Sequence, residues 1–192
     1  MTKRIIGLTG GIATGKTTVA NYLAERYNFP ILDADIYARE AVAVGSPLLQ
    51  EIVARYGSEI LLADGSLDRQ HLGVIIFNNP TERQWLEQLI HPYVRGRFIN
   101  KMAELFAQTV VWVVPLLFEA GMTDSVTEIW VVICSEQQQL ERLMQRNNLT
   151  LEAARSRINS QLPLAEKVAR ADVVLDNSSS LEMLLKQVDT AI

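Results

Sequence analysis

The 192-residue sequence holds one cysteine, so no intrachain disulfide can form and stability must come from a hydrophobic core. Cys134 closes the apolar run from Ile129, where it reads as a small buried hydrophobe, and a reducing compartment is expected. The two histidines, His71 and His91, have no metal-site spacing to another ligand. The longest apolar run, Val110 to Phe118, is nine residues, against the roughly 20 needed to span a bilayer. Glycines at 7, 10 and 11 break the stretch that a signal peptide would require. These features predict a cytoplasmic protein with no membrane partner. Basic residues are not in excess either. Lys and Arg total 18 against 22 Asp and Glu, a net charge of -4, so there is no positive field to gather nucleic acid. Any anion must be held locally.

What is present is ordinary in amount and informative in order. Hydrophobic residues make up 48% and charged residues 21%, enough for one full core, as a single domain or a core with an insertion. Short apolar or β-branched runs recur at Arg4 to Thr9, Pro30 to Asp33, Val110 to Pro115, Glu128 to Cys134 and Asp172 to Asp176. Helical patterns separate most of them, so the fold class is α/β: a five-stranded parallel sheet flanked by helices. Helix starts are written in Asn79-Pro80-Thr81-Glu82 and in the capping boxes Ser135-x-x-Gln138 and Ser179-x-x-Glu182. From Asp35 to Gln108 no strand is evident. Helical periodicity runs over Ala38 to Tyr56, Leu67 to Phe77 and Thr81 to Phe106, with turns at Gly45-Ser46-Pro47 and Asp64-Gly65-Ser66. The economical reading is a helical insertion over the sheet's carboxyl edge, where open α/β sheets bind ligands. There is no internal repeat or low-complexity segment.

Gly10-Gly11-Ile12-Ala13-Thr14-Gly15-Lys16-Thr17 has the spacing of a phosphate-binding P-loop, and it lies between the first strand and a helix that continues through Thr18. Its glycines let successive amides and the helix N-terminus turn toward phosphate oxygens. Lys16 would reach the β- and γ-phosphates, and the Thr17 hydroxyl would join a Mg2+ shell.

Other residues could share that chemistry. Asp33 and Asp35 follow the second strand, where one could organise Mg2+ through water while the other accepts a proton; alternatively, Asp35 caps a helix beginning at Ile36. Arg142 and Arg146 share a helix face directed at the loop Asn147 to Thr150, with Arg157 on the next helix. They could close over a triphosphate, or form a solvated face. Glu119 ends the run Pro115-Leu116-Leu117-Phe118 and could bind substrate, pair with an arginine or start a helix. Pro92, after His91, is expected to kink or end a helix, which gives His91 a structural reading.

In this order the motifs resemble the dephospho-CoA kinase family over essentially the whole chain. They are Leu8-Thr9-Gly10-Gly11-Ile12 with Gly15-Lys16-Thr17-Thr18, Asp33-Ala34-Asp35 with Ala38-Arg39, and Asp64-Gly65-Ser66-Leu67-Asp68-Arg69. They continue with Leu89-Ile90-His91-Pro92, Pro115-Leu116-Leu117-Phe118-Glu119, Arg142 to Arg146, Arg157-Ile158 with Gln161, and Ala171 to Asn177. The resemblance implies a P-loop nucleoside triphosphate hydrolase-type fold in one domain over 1–192. Its core would be about 1–34 and 109–192, its acceptor-binding insertion about 35–108 and its lid about 142–165. It implies transfer of the ATP γ-phosphoryl group, with Mg2+, to the ribose 3′-hydroxyl of dephospho-CoA.

On the same resemblance, Asp35 with Lys16 and Arg142 would be catalytic, and Asp33 would be a water-mediated Mg2+ partner beside Thr17. Gly11, Ile12, Ala13, Thr14, Gly15, Thr18, Arg146 and Asn177 would bind ATP, with Asn177 at adenine. Asp33, Asp35, His91, Glu119 and Arg157 would face the acceptor. The oligomeric state is left open. Three positions depart from the family pattern: Ala13 where a glycine is usual, Asn147 where an Asp is common, and Ser179 in place of a frequent glycine. A Cβ at position 13 is harmless unless its φ is positive.

Overall fold

A computed structural model describes residues 3–192. Its strands are β1 (Arg4–Gly10), β2 (Ile31–Asp33), β3 (Thr109–Val113), β4 (Glu128–Ile133) and β5 (Val173–Asp176). All pair in parallel, in the order β2-β3-β1-β4-β5, and each lies within two residues of the run that foretold it. Strands covered on both faces carry apolar residues almost continuously, which is why the sequence exposes them.

The chain divides into two units: residues up to Asp33 with Phe106–Ile192, and Ala34–Leu105. In the first unit, Ile6 and Leu8 of β1, Val111 and Val113 of β3, Trp130 and Val132 of β4, and Leu175 of β5 alternate onto one face. Helices α1 (Lys16–Tyr27) and α9 (Leu181–Ala191) cover that face with Val19, Leu23, Leu184 and Val188. Helix α9 is pinned further by Asp189, whose Oδ1 accepts from the hydroxyls of Tyr22 and Tyr27, both at 2.7 Å. β1 is the central strand. The chain leaves it toward β2 and β3 on one side and β4 and β5 on the other, which makes its carboxyl end the place for a ligand crevice.

The second unit is helical: α2 (Ala34–Ala41), α3 (Pro47–Tyr56), α4 (Arg69–Asn78) and α5 (Pro80–Glu104). Its core gathers Ala41, Val42, Leu49, Ile52, Ile60, Leu67, Leu72 and Leu86. At its edge Arg55 donates to both carboxylate oxygens of Glu82 at 2.7 and 2.8 Å, Tyr56 donates to the same group at 2.5 Å, and the Arg55 guanidinium lies 4.4 Å from the Trp85 ring centre. The remaining helices, α6 (Glu136–Asn147), α7 (Leu151–Asn159) and α8 (Leu164–Val168), belong to the first unit.

Three local expectations are corrected. Pro92 does not end its helix: α5 runs 25 residues, roughly 37 Å, with Leu86 buried before the proline and Val94 and Phe98 after it. The proline removes one bond to the Gln88 carbonyl, and burial on either side keeps the helix whole. Helix α9 is capped by Ser180, whose side chain accepts from the Met183 amide, one residue later than the Ser179 box suggested. Helix α2 begins at Ala34, so Asp35 sits inside its first turn, where the helix dipole favours a carboxylate, and is not the cap.

Candidate active site

β1 ends at Gly10, where φ is 145° and a Cβ would stand 2.2 Å from the Val132 carbonyl oxygen. From there the loop turns its carbonyls into protein donors. Lys16 Nζ donates to the carbonyls of Gly10 (3.3 Å) and Gly11 (2.7 Å), and Thr14 Oγ1 also donates to Gly11 (2.9 Å). Gln139 Nε2 donates to Ile12 O (2.8 Å), and Asn177 Nδ2 to Thr14 O (2.8 Å). Among the described residues no acceptor takes the amides of Ala13, Gly15 or Thr17.

Helix α1 continues the pattern. Its cap residue Gly15 (φ 109°) supplies no side-chain bond, and the first turn carries no acidic residue. By contrast α3, α4, α5, α6, α7 and α9 are each capped by a Ser, Thr, Asp or Asn side chain. An uncapped N-terminus of a 12-residue helix beside unclaimed amides has the donors and the dipole that an anion would need.

Ala13 has φ 62°, so the harmless case does not hold and a Cβ is carried in the left-handed region. Ser179, in contrast, is not among the positive-φ residues. Asn147 accepts from Arg146 Nε at 2.9 Å, so the neutral side chain still engages the arginine.

The other expected residues are distributed as follows. Asp33 closes β2, and Thr17 and Thr18 are exposed on the first turn of α1. Arg142 and Arg146 do not share a partner: Arg142 Nη2 reaches the Asn177 carbonyl at 3.2 Å, whereas Arg146 is exposed and turned to Asn147. Arg157 is half-buried on α7.

Glu119 pairs with a lysine and not with an arginine. Its Oε1 lies 2.9 Å from the fully buried Lys167 Nζ and accepts from the Leu162 amide at 2.9 Å. Lys167 also donates to the Pro115 carbonyl (3.3 Å), which accepts from Thr9 Oγ1 (3.1 Å). His91 is half-buried in mid-α5, and burial holds its imidazole below the usual range despite the neighbouring Glu87. Burial likewise pushes the Cys134 thiol up, against the pull of Arg142 and Lys16.

A family model for dephospho-CoA kinase matches residues 4–183. The chain belongs to the dephospho-CoA kinase family. A dephospho-CoA kinase from Trichormus variabilis is 70% identical over 192 residues, covering 100% of this chain and 98% of its own. Among solved structures, TT1252 from Thermus thermophilus is 33% identical, covers 100% of this chain and 97% of its own, and has a TM-score of 0.82. Dephospho-CoA kinase from Campylobacter jejuni is 29% identical, covers 98% and 95%, and has a TM-score of 0.71. Membership makes the protein a kinase that uses ATP.

Two buried groups of this dephospho-CoA kinase family member have no counterpart among the residues expected from its sequence: Gln139, which bonds the loop at Ile12, and Lys167, which bonds Glu119 and Pro115. Gln139 is 5% exposed yet falls on α6, where a glutamine reads as surface. Lys167 is 0% exposed in the short α8, flanked by Glu166 and Val168. No local pattern distinguishes either from a solvated residue. The only signal for Gln161 was its place in the family motif.

Proposed function

We propose that the protein transfers the γ-phosphoryl group of ATP to the ribose 3′-hydroxyl of dephospho-CoA, giving coenzyme A and ADP. The observation that carries the ATP half is the loop with its carbonyls bonded to protein donors and the amides of Ala13, Gly15 and Thr17 unclaimed beside an uncapped helix. The full-length family match supports the acceptor.

In this reading Gly11 to Thr18 hold the triphosphate, and Lys16 exchanges its carbonyl partners for β- and γ-phosphate oxygens. The 3′-oxygen attacks the γ-phosphorus as the bond to the β-γ bridging oxygen breaks. The electron pair leaves with ADP, and the hydroxyl proton passes to Asp35. Arg142, Arg146 and Arg157 offset charge on the transferring group, and residues about 142–165 act as a lid. Asn177 borders adenine.

The donor set suits Mg2+: Thr17 offers a hydroxyl and Asp33 one carboxylate, hard oxygens that a small cation supplements from phosphates and water. Among the described residues no group of three or more His, Cys, Asp or Glu forms a separate cage. When bound, Mg2+ neutralises charge on the β- and γ-phosphate oxygens.

The helical unit Ala34–Leu105 takes the acceptor, with His91 on it. A seat for the acceptor's diphosphate lies within the helical unit. Arg69, the first residue of α4, donates through Nη2 to Arg39 O at 3.4 Å. Burial and the Arg39 charge hold its guanidinium below the usual range, and among the described residues no carboxylate ion-pairs with either arginine. Cytoplasmic location is part of the same reading, supported by Cys134 as a buried free thiol. No helix among the described residues is long and apolar enough to cross a membrane.

The test is mass spectrometry of dephospho-CoA after incubation with ATP and Mg2+. One added phosphate on the ribose is expected, and an unchanged acceptor beside intact ATP overturns the assignment.

A further inference from the structure

Ile12 is held by two carboxamides, one at its amide and one at its carbonyl. Gln161 Oε1 accepts from its amide at 3.0 Å, and Gln139 Nε2 donates to its carbonyl at 2.8 Å. Gln139 is 95% buried on α6, and Gln161 follows α7, so both helices grip the loop through one residue. The Gln161 end is itself fixed. The Ser160 amide donates to Ser156 O (3.0 Å), Gln161's own amide to Ile158 O (3.2 Å), and the Leu162 amide to Glu119.

The next residue is Ala13, with φ 62°. That torsion is the rotation between the Ile12–Ala13 peptide plane and the rest of Ala13. The Ile12 carbonyl, held by Gln139, lies in that plane, and the Ile12 amide, held by Gln161, lies in the preceding Gly11–Ile12 plane, so the two bonds together fix the peptide planes on either side of Ile12 and with them the plane from which the left-handed turn is measured. A strained non-glycine conformation persists only where its surroundings over-determine it.

We propose that Gln161, with Gln139, is a positioning residue for ATP: it fixes the peptide before Ile12 while Gln139 fixes the one after it, so that Ala13 keeps the left-handed turn that aims the loop's amides at phosphate. The proposal rests on the reading of this loop as the triphosphate site. Gln161 acts through Ile12 and touches no reacting atom.

Coupling is the test, because a merely structural role predicts none. ATP binding is measured by calorimetry without acceptor, for Gln161→Met and Gln161→Glu, each in the wild-type chain and in an Ala13→Gly chain. Exchange of the Ile12 amide is followed by hydrogen–deuterium mass spectrometry. Losing the acceptor oxygen in Gln161→Met is expected to weaken ATP binding about tenfold in the wild-type chain, the scale of one hydrogen bond, and to speed Ile12 exchange. Gln161→Glu, which keeps an acceptor oxygen, should leave exchange slow. In the Ala13→Gly chain the same Gln161→Met change should cost about threefold or less, because no strain is left to oppose.

Equal losses in the two chains, or unchanged Ile12 exchange, overturn the proposal. If Gln161→Met fails to fold, Gln139→Met measured in both chains applies the same criterion. A wild-type chain that binds no ATP is a different outcome, which removes the functional reading itself.

Discussion

The Asn177 side-chain amide donates to the Thr14 carbonyl at 2.8 Å, tying the end of the last strand to the loop after the first. The same nitrogen would stand 2.3 Å from a Cβ at position 15. Replacing Asn177 by Leu removes a bond of about 1 kcal/mol and frees the loop's outer side. The KM for ATP should rise about fivefold with the acceptor KM unchanged, measured by steady-state kinetics with each substrate varied in turn.

Lys16→Ala should leave the fold intact, because the ammonium is half-buried at the surface of the loop and its bonds to the Gly10 and Gly11 carbonyls lie outside both hydrophobic cores. Turnover should fall on the order of a thousandfold or more, as for loss of a charge that stabilises the transition state. Circular dichroism with an ADP-release assay separates the two effects. A grossly unfolded variant would sink the role given to Lys16.

Ala13→Gly should stabilise the protein. Relief of the left-handed Cβ returns about 1–2 kcal/mol, and the greater freedom of glycine in the unfolded chain offsets about 0.5–1 of it. A higher urea midpoint at unchanged slope is expected.

Lys167→Met should be destabilising. It leaves Glu119 with the Leu162 amide but without its ion pair. Since the Glu119 side chain is 25% exposed, the loss should fall at the low end of the about 3–5 kcal/mol typical of breaking a buried pair. Adding Glu119→Gln should recover part of it, as read from urea unfolding of the single and double variants.

The helical unit should show an acid dependence traceable to Glu82. Arg55, and then Tyr56, bond its carboxylate and lower its pKa to about 2 from an ordinary value of 4.5. A depressed folded pKa means the unfolded chain binds the proton first. The stabilisation is therefore complete above pH 4.5 and is lost as pH falls toward 2. Glu82→Gln should flatten that limb of the stability curve, and an unaltered acid limb would remove Glu82 as its source.

The parts legible in the sequence are those written locally. Each strand is a short apolar run, and the loop is an eight-residue motif between a strand and a helix. The starts of α5 and α6 are set by Asn79 and by the Ser135–Gln138 box. What could not be read depends on distant partners. Gln139 meets Ile12 across 127 residues and Asn177 meets Thr14 across 163, and neither side chain differs in type from a surface residue. Lys167 is buried because Glu119 and Pro115, from the segment after β3, close over it. Pro92 shows the opposite case: of the two outcomes its local signal allowed, a kink or an end, the end is excluded by packing that carries α5 past it.

The three tryptophans divide between the units: Trp85 lies under the Arg55 guanidinium and meets the Tyr56 ring edge-on in Ala34–Leu105, while Trp112 and Trp130 lie on β3 and β4. The polypeptide thus carries two intrinsic optical reporters. Replacing Trp85 by Phe, or Trp112 and Trp130 together, would let fluorescence follow the melting of one half without interference from the other, so that substrate protection could be assigned to the half that receives it.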